Sequence, residues 1–308
     1  MYLRILTVFL ALSFSLLPAA ATCIGIIPAG AEHLFWRELI RGAETAAREN
    51  DLDTYVRAPN TEANEAGQQY IIEKALEEGC KGIVLAPNSH DVPATVPALA
   101  RSGTPVVYVD RDMGGNRVSV VQTNNFKAGK LAGREMAKRL QAGGTVALLR
   151  MRAGVISTTD REEGFLDALK QTGIEVVSEH YIGATVGEAR ENTALLFQDG
   201  LKVDAIFTPN ESSTIGALLS LKQLGLAGRV QHIGFDFTPV LLEALKAKEI
   251  SGLVVQQPYK MGYLGTQTLV KAMRGDAFSP HIDIPAHYID LANLDSPEIR
   301  EVVSVEYE

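Results

Sequence analysis

The chain has 308 residues, of which 46% are hydrophobic and 21% charged, a globular composition that excludes a wholly disordered or polytopic membrane protein. Lysine and arginine total 29 against 37 acidic residues, and a chain of net charge −8 exerts no long-range pull on phosphate polyanions, so no nucleic-acid partner is expected. Two cysteines, Cys23 and Cys80, exclude a disulfide-dense scaffold and any four-cysteine metal site.

The first segment reads as an address. Arg4 precedes an apolar run from Ile5 to Leu17, and Pro18 and the small residues Ala19–Ala21 follow. A short positive start, an apolar core and an Ala-x-Ala step predict a secretory signal over residues 1–21, cleaved after Ala21. The run breaks at Pro18, short of the roughly 18 apolar residues a membrane anchor needs. A periplasmic location is therefore expected. Cys23 lies just past the cut, where lipidation is an alternative. Thr22 is large for such a site and Ala20 stands where it carries Leu, so Cys23 is read as the opening of the first strand. In an oxidising compartment Cys23 and Cys80 can pair, and the bridge and two free thiols both stay open here.

Short apolar runs then alternate with amphipathic stretches. Cys23–Pro28, Thr54–Arg57, Gly82–Ala86 and Pro105–Val109 read as buried parallel strands, because both faces of such strands are covered. After a loop with Gly114-Gly115-Asn116 the pattern resumes with Thr145–Met151, Ala205–Thr208, Val230–Phe235 and Gly252–Val255. Between them, Trp36, Leu39, Ile40, Ala43 and Ala47 recur at helical spacing, as do Ile215, Leu218, Leu219 and Leu224. Strand–helix alternation in two batches predicts an α/β protein of two Rossmann-like (flavodoxin-like) lobes, each a parallel sheet flanked by helices. Past Lys260 the chain reads helix then strand again, a late return to the first lobe.

The motifs of catalysis are missing. Gly129-Lys130 lacks the upstream glycine and hydroxyl residue of a phosphate loop, and the first strand runs into Ile27-Pro28-Ala29-Gly30 rather than a dinucleotide fingerprint. No nucleophile elbow occurs, and the six histidines form no metal-ligand pair. No enzyme activity, catalytic residue, metal or cofactor is expected.

Polar residues instead cluster just past predicted strands, the edge where open α/β sheets bind ligands. Asp110 and Arg111 follow Val106–Val109, Asn210 follows Ile206–Pro209, Asp236 follows Ile233–Phe235, Gln256 follows Leu253–Val255, and Arg161 is expected to open the helix after Met151. Asp and Asn at such positions are also ordinary caps, whereas Arg111, Arg161 and Gln256 are not turn residues. The set suits a polyhydroxyl compound: carboxylates accept, guanidinium forks donate, and amides do both. Phe35 and Trp36, opening the first helix, offer an aromatic plate for a sugar ring. Trp36 lies on the apolar stripe, so Phe35 is the stacking candidate and Trp36 equally a core residue.

These residues together resemble the periplasmic sugar-binding proteins of ABC importers, of the ribose-binding type (type I). The likeness rests on Ile24-Gly25-Ile26, Phe35-Trp36, Gly82–Pro87, Asp110-Arg111, Asn124-Asn125, Arg161–Phe165, Asn210-Glu211, Gly234-Phe235-Asp236 and Gln256-Gln257-Pro258. It implies lobes of residues 22–123 plus 257–287 and 124–256 plus 288–308, joined by three hinge crossings near Thr123–Asn125, Val255–Gln257 and Ala286–Ile289. It implies ligand contacts at Asp110, Arg111, Arg161, Asn210, Asp236 and Gln256, to which His33, Phe35 and Trp36 are added. It also implies a monomer that hands a small-molecule sugar to a membrane ABC permease, or, alternatively, signals to a sensor kinase or chemoreceptor. A repressor sharing this core needs a DNA-binding helix pair where the export segment stands, and Asp110 with Asp236 as paired carboxylates of a hydrolase lacks a nucleophile. Ala29 and His33 stand where ribose binders carry Ser and Asn, and Ala184 where they carry a pocket Phe. Those departures predict a larger or more oxidised relative of ribose, such as a furanose, a deoxy sugar or a sugar acid.

Overall fold

The structure is a computed structural model and describes residues 22–31, 33–88, 99, 103–140 and 142–306. The expected signal, residues 1–21, lies outside the described residues. The first part of the chain forms Thr22–Ile27 (β1), Leu34–Arg48 (α1), Leu52–Val56 (β2), Glu65–Glu77 (α2), Ile83–Leu85 (β3), Val106–Val109 (β4) and Ser119–Thr123 (β5). Asn125–Arg139 (α3), Thr145–Arg150 (β6), Ile156–Leu169 (α4), Glu175–Tyr181 (β7) and Val186–Gln198 (α5) follow. Next come Ala205–Phe207 (β8), Glu211–Gln223 (α6), Gln231–Phe235 (β9), Pro239–Lys246 (α7) and Gly252–Val255 (β10). Pro258–Arg274 (α8), His281–Ile284 (β11), His287–Ile289 (β12) and Pro297–Glu306 (α9) follow among the described residues.

The strands make two sheets, ordered β11-β5-β4-β3-β1-β2 and β12-β10-β9-β8-β6-β7. Each therefore repeats the doubly wound 2-1-3-4-5 order and takes a sixth strand from late in the chain. The eight apolar runs all lie in these sheets. Four further strands were not among them. In β7 the burial pattern shows why: this edge strand is largely exposed, so Glu175, Ser178, Glu179 and His180 interrupt any apolar run. Pairing is parallel with one exception, because β12 runs antiparallel to β10. A strand entering the second sheet straight from the first, through Pro285 and Ala286, has no room for the crossover helix a parallel partner requires.

Both faces of each sheet are covered. In the first lobe Ile24, Ile26, Val107 and Val109 pack under Trp36, Leu39, Ala43, Met261 and Leu269, while Ile83, Leu85 and Tyr108 pack on the other face with Ile72 and Ala75. In the second, Phe165, Phe207 and Phe235 fill one face and Leu218, Leu241, Leu253 and Val255 line part of the other. Helices meet through glycines: a Cβ on Gly42 would stand 1.9 Å from the Tyr259 carbonyl oxygen, and one on Gly129 1.9 Å from that of Arg161. Only residues without a side chain let α1 pass α8, and α3 pass α4, at that range.

Cys23, beginning β1, and Cys80, before β3, form a disulfide. β1 and β3 are paired neighbours, so sheet formation itself brings the two sulfurs together. Through that bond Cys23 ties the first strand to the turn before β3.

The chain passes between lobes three times: Thr123 to Asn125, Val255 to Pro258, and Ile284 to His287. The third crossing begins slightly before the expected Ala286–Ile289. The crossings are tied together, since Gln257 Nε2 donates to the Pro285 carbonyl at 2.7 Å and Asn124 Nδ2 to Asp283 Oδ2 at 3.1 Å.

Candidate ligand-binding cleft

In a doubly wound sheet the helices after β1 and β3 leave on opposite faces, which opens a crevice at the strands' carboxyl ends. Here two such crevices face one another. The cleft between them is narrow, with about 340 Å³ of space between its walls, part of it open to solvent. His33, Phe35, Trp36, Asp110, Arg111, Arg161, Asn210, Asp236 and Gln256 all line it. Glu62, Met151, Val155, Ser157, Thr158 and Glu211 line it as well. Glu211 was adjacent to a candidate in sequence. Glu62 carried no signal beyond lying in the loop after β2.

Asp110 and Asp236 end β4 and β9 with the same backbone, each at φ 69°. That left-handed region is costly for a side-chain-bearing residue, and aspartate is among the few that tolerate it. Across Asp110 the Arg111 N–H donates to the Val109 carbonyl at 2.8 Å, a turn that aims both side chains along the cleft floor. Arg111 Nε donates to Asp110 Oδ2 at 2.7 Å, and its two terminal nitrogens reach Glu62 Oε2 at 3.2 Å. Glu62 Oε1 accepts from Trp36 Nε1 at 3.1 Å. Trp36 thus packs on the core stripe and also orients a cleft carboxylate, and its ring meets that of Phe35 edge to face at 4.8 Å.

On the opposite wall, Arg161 lies in the second turn of α4 rather than at its start. The helix opens earlier, at Ile156 after Val155, where the hydroxyls of Thr158 and Thr159 turn back to the Val155 carbonyl. From there Arg161 Nε donates to Asn125 Oδ1 at 2.8 Å and Nη1 to the Pro209 carbonyl at 2.9 Å, over the Phe235 ring. Gln256 Nε2 donates to Asp236 Oδ1 at 2.7 Å, and the Glu211 N–H donates to Asp236 Oδ2 at 2.9 Å. Asn210 caps α6, its Oδ1 accepting from the Ser213 N–H and hydroxyl, so the capping role and the place in the cleft wall coincide. Ala184 is half-buried and outside the cleft lining, so that position supplies no aromatic wall.

The lobes also touch directly. Leu34 and Phe35 N–H groups, in the first turn of α1, each donate to the Glu211 carboxylate at 3.2 Å. A carboxylate there is favoured by the helix dipole as well as by the two bonds. His33 sits between carboxylates of both lobes, Nε2 3.9 Å from Glu62 Oε1 and Nδ1 3.8 Å from Glu211 Oε1.

Burial acts on every charge here, and partners decide the outcome. Burial would raise the Glu62 carboxyl, but Arg111 and His33 hold it below its ordinary value. Burial would lower Arg111, but Asp110 and Glu62 raise it, which makes the guanidinium a permanent charge. For Asp236 burial wins over Arg161, and for Glu211 burial with Asp236 beside it wins over His33, so both carboxyls are raised. Arg161 is lowered by burial despite Asp236 and Asp110.

Two doubly wound lobes, three linking crossings and a polar cleft walled by both define a two-lobed binding protein of type I. The chain belongs to the periplasmic binding protein family, since the family model described as a periplasmic binding protein domain matches residues 24–277. Among solved structures it is similar to the periplasmic component of an ABC-type sugar transport system from Hahella chejuensis, with 36% identity, a TM-score of 0.84, and coverage of 87% of this chain and 99% of that one. A carbohydrate transporter solute-binding protein from Agrobacterium radiobacter, in complex with D-arabinose, is 26% identical with a TM-score of 0.87, covering 92% of this chain and 99% of that one. Among curated relatives, the ribose import binding protein of Haemophilus influenzae is 28% identical over 279 residues, 90% of this chain and 94% of the relative.

Proposed function

We propose that the protein is an exported solute receptor that captures a monosaccharide or a related polyhydroxyl compound between its lobes and delivers it to an ABC permease. The signal over residues 1–21 is removed in this reading and the mature receptor works in the periplasm, where an oxidising environment suits the Cys23–Cys80 bridge. The lobes divide as residues 22–123 plus 257–286 and 124–256 plus 287–308, the last boundary falling one residue before the expected one because His287 already pairs in the second sheet. One observation carries the reading: side chains from both lobes, spread from His33 to Gln256, converge on one buried polar cleft. Relatives named for ribose import and for sugar transport support it. Opening about the three crossings admits the ligand, and closure stabilised by ligand presents a surface formed by both lobes.

Among the described residues no nucleophile is placed beside a base in the cleft, so in this reading the bound solute leaves unaltered. A thermal-shift panel of pentoses, hexoses, polyols, sugar acids and amino sugars tests the proposal on the mature protein. A ligand that binds only the folded form raises the melting temperature, by about 2.7 kcal/mol of added stability at 100 times Kd. A panel with no responding member would overturn it.

A further inference from the structure

The six side chains that resemble a ribose site are electrically balanced, Asp110 and Asp236 against Arg111 and Arg161. The folded cleft adds two carboxylates to that set, Glu62 and Glu211, each over nine-tenths buried. Among the described residues, four carboxylates then face two guanidiniums. Both guanidiniums are already engaged: Arg111 with Asp110 and Glu62, Arg161 with Asn125 and the Pro209 carbonyl. Among the described lining residues His33 is the other side chain able to carry positive charge, and even as a cation it leaves one negative charge of that set uncompensated. Its ring nitrogens stand 3.8 and 3.9 Å from Glu211 and Glu62, beyond hydrogen-bond range, and its buried Nε2 has no hydrogen-bond partner. Arg152 is outside the lining and directs Nη2 at the Glu62 carbonyl at 3.5 Å, and Arg41 is paired with Glu38 at 2.7 Å.

Resting on the receptor reading above, we infer that the ligand is a polyhydroxyl compound carrying one protonated amine, an amino sugar, seated with its ammonium near Glu62 and Glu211 beside His33. Buried charge needs a partner, and a neutral sugar supplies none. A sugar acid adds a fifth negative charge to the same space, so the charge balance points away from that part of the expectation.

Calorimetry on the mature protein compares matched sets: galactose, galactosamine and galacturonate, and glucose, glucosamine and glucuronate, with ribose and arabinose as neutral pentoses. The inference expects an amino sugar to bind at least tenfold tighter than its neutral counterpart, about 1.4 kcal/mol, and the acid to bind more weakly than either. The E62Q variant, which keeps the size and one acceptor, is expected to reduce the amine preference about tenfold. If E62Q does not fold, the wild-type comparison decides alone. A neutral or acidic sugar that binds within tenfold of its amino counterpart, or a neutral pentose that binds where no amino sugar does, overturns the inference and leaves the receptor reading standing. No binding anywhere in the panel overturns both.

Discussion

At the scale of single residues, Asp110 and Asp236 do two jobs that cannot be separated. Each bears the cost of a left-handed turn, and each turns a sheet edge into an acceptor inside the cleft. Asp236→Ala removes the acceptor of the Glu211 N–H and of one Gln256 amide bond, and Arg111→Ala leaves the buried Asp110 and Glu62 carboxylates without their guanidinium. Each unpaired buried group costs about 1–3 kcal/mol. Both variants are expected to fold, by circular dichroism, and to lose ligand affinity by roughly 100-fold or more in calorimetry. His232 bears on stability alone. It is buried against Thr208, with Nε2 2.8 Å from the hydroxyl, and burial pushes its pKa down to about 3. The unfolded chain takes up that proton near pH 6.5, so the unfolded state binds more protons between pH 6.5 and 3. The stability held above pH 6.5 is lost as pH falls, by about 2 kcal/mol at pH 5. Denaturant titrations should show that increment in the wild type and its absence in His232→Gln.

At the scale of elements, close helix pairs position the cleft. The Gly129 approach to the Arg161 carbonyl sets the distance between α3 and α4, and hence where the Arg161 guanidinium reaches. Gly129→Ala is expected to cost about 1–3 kcal/mol through overpacking, visible as a lower Tm, and to weaken ligand binding as Arg161 is displaced. Gly42→Ala meets the Tyr259 carbonyl just as closely, but in the other lobe and away from the cleft arginines. It should cost similar stability with a smaller loss of affinity. If the two variants lose affinity equally, helix spacing does not set Arg161. The same scale explains what periodicity missed. Central strands such as β4 are apolar throughout and stand out in sequence, whereas β7, half open to solvent, reads like a loop. Arg161 was placed at a helix start because Val155, which opens α4 without a side-chain cap, leaves no mark there.

At the scale of the whole molecule, two linkages hold the parts together. The disulfide closes a loop with a sequence separation of 57 residues, worth about 4 kcal/mol in the chain-entropy picture. Reduction, or the paired Cys23→Ser and Cys80→Ser change, should lower Tm, and thiol counting under denaturation should find no free thiol before reduction. Between lobes, Glu211 clamps the first turn of α1. Glu211→Ala removes both bonds and is expected to shift the ligand-free protein toward an open form. A larger radius of gyration in small-angle scattering, restored by bound ligand, is the outcome that supports the clamp; an unchanged radius counts against it.

Alternation of apolar runs with amphipathic stretches was enough for two doubly wound lobes, because a strand buried on both faces must be apolar along its length. The strand-end polar residues were legible for a related reason, since sheet edges are where a buried chain re-emerges toward a ligand. Other features belong to the tertiary structure alone. Glu62 and Glu211 are recognisable as cleft residues only once the chain is folded, and the antiparallel β12 arises from a crossing too short for a helix. The pairing of charges across the cleft depends on which side chains share a low-dielectric space. That is a property of three-dimensional proximity, on which residue order places no direct constraint.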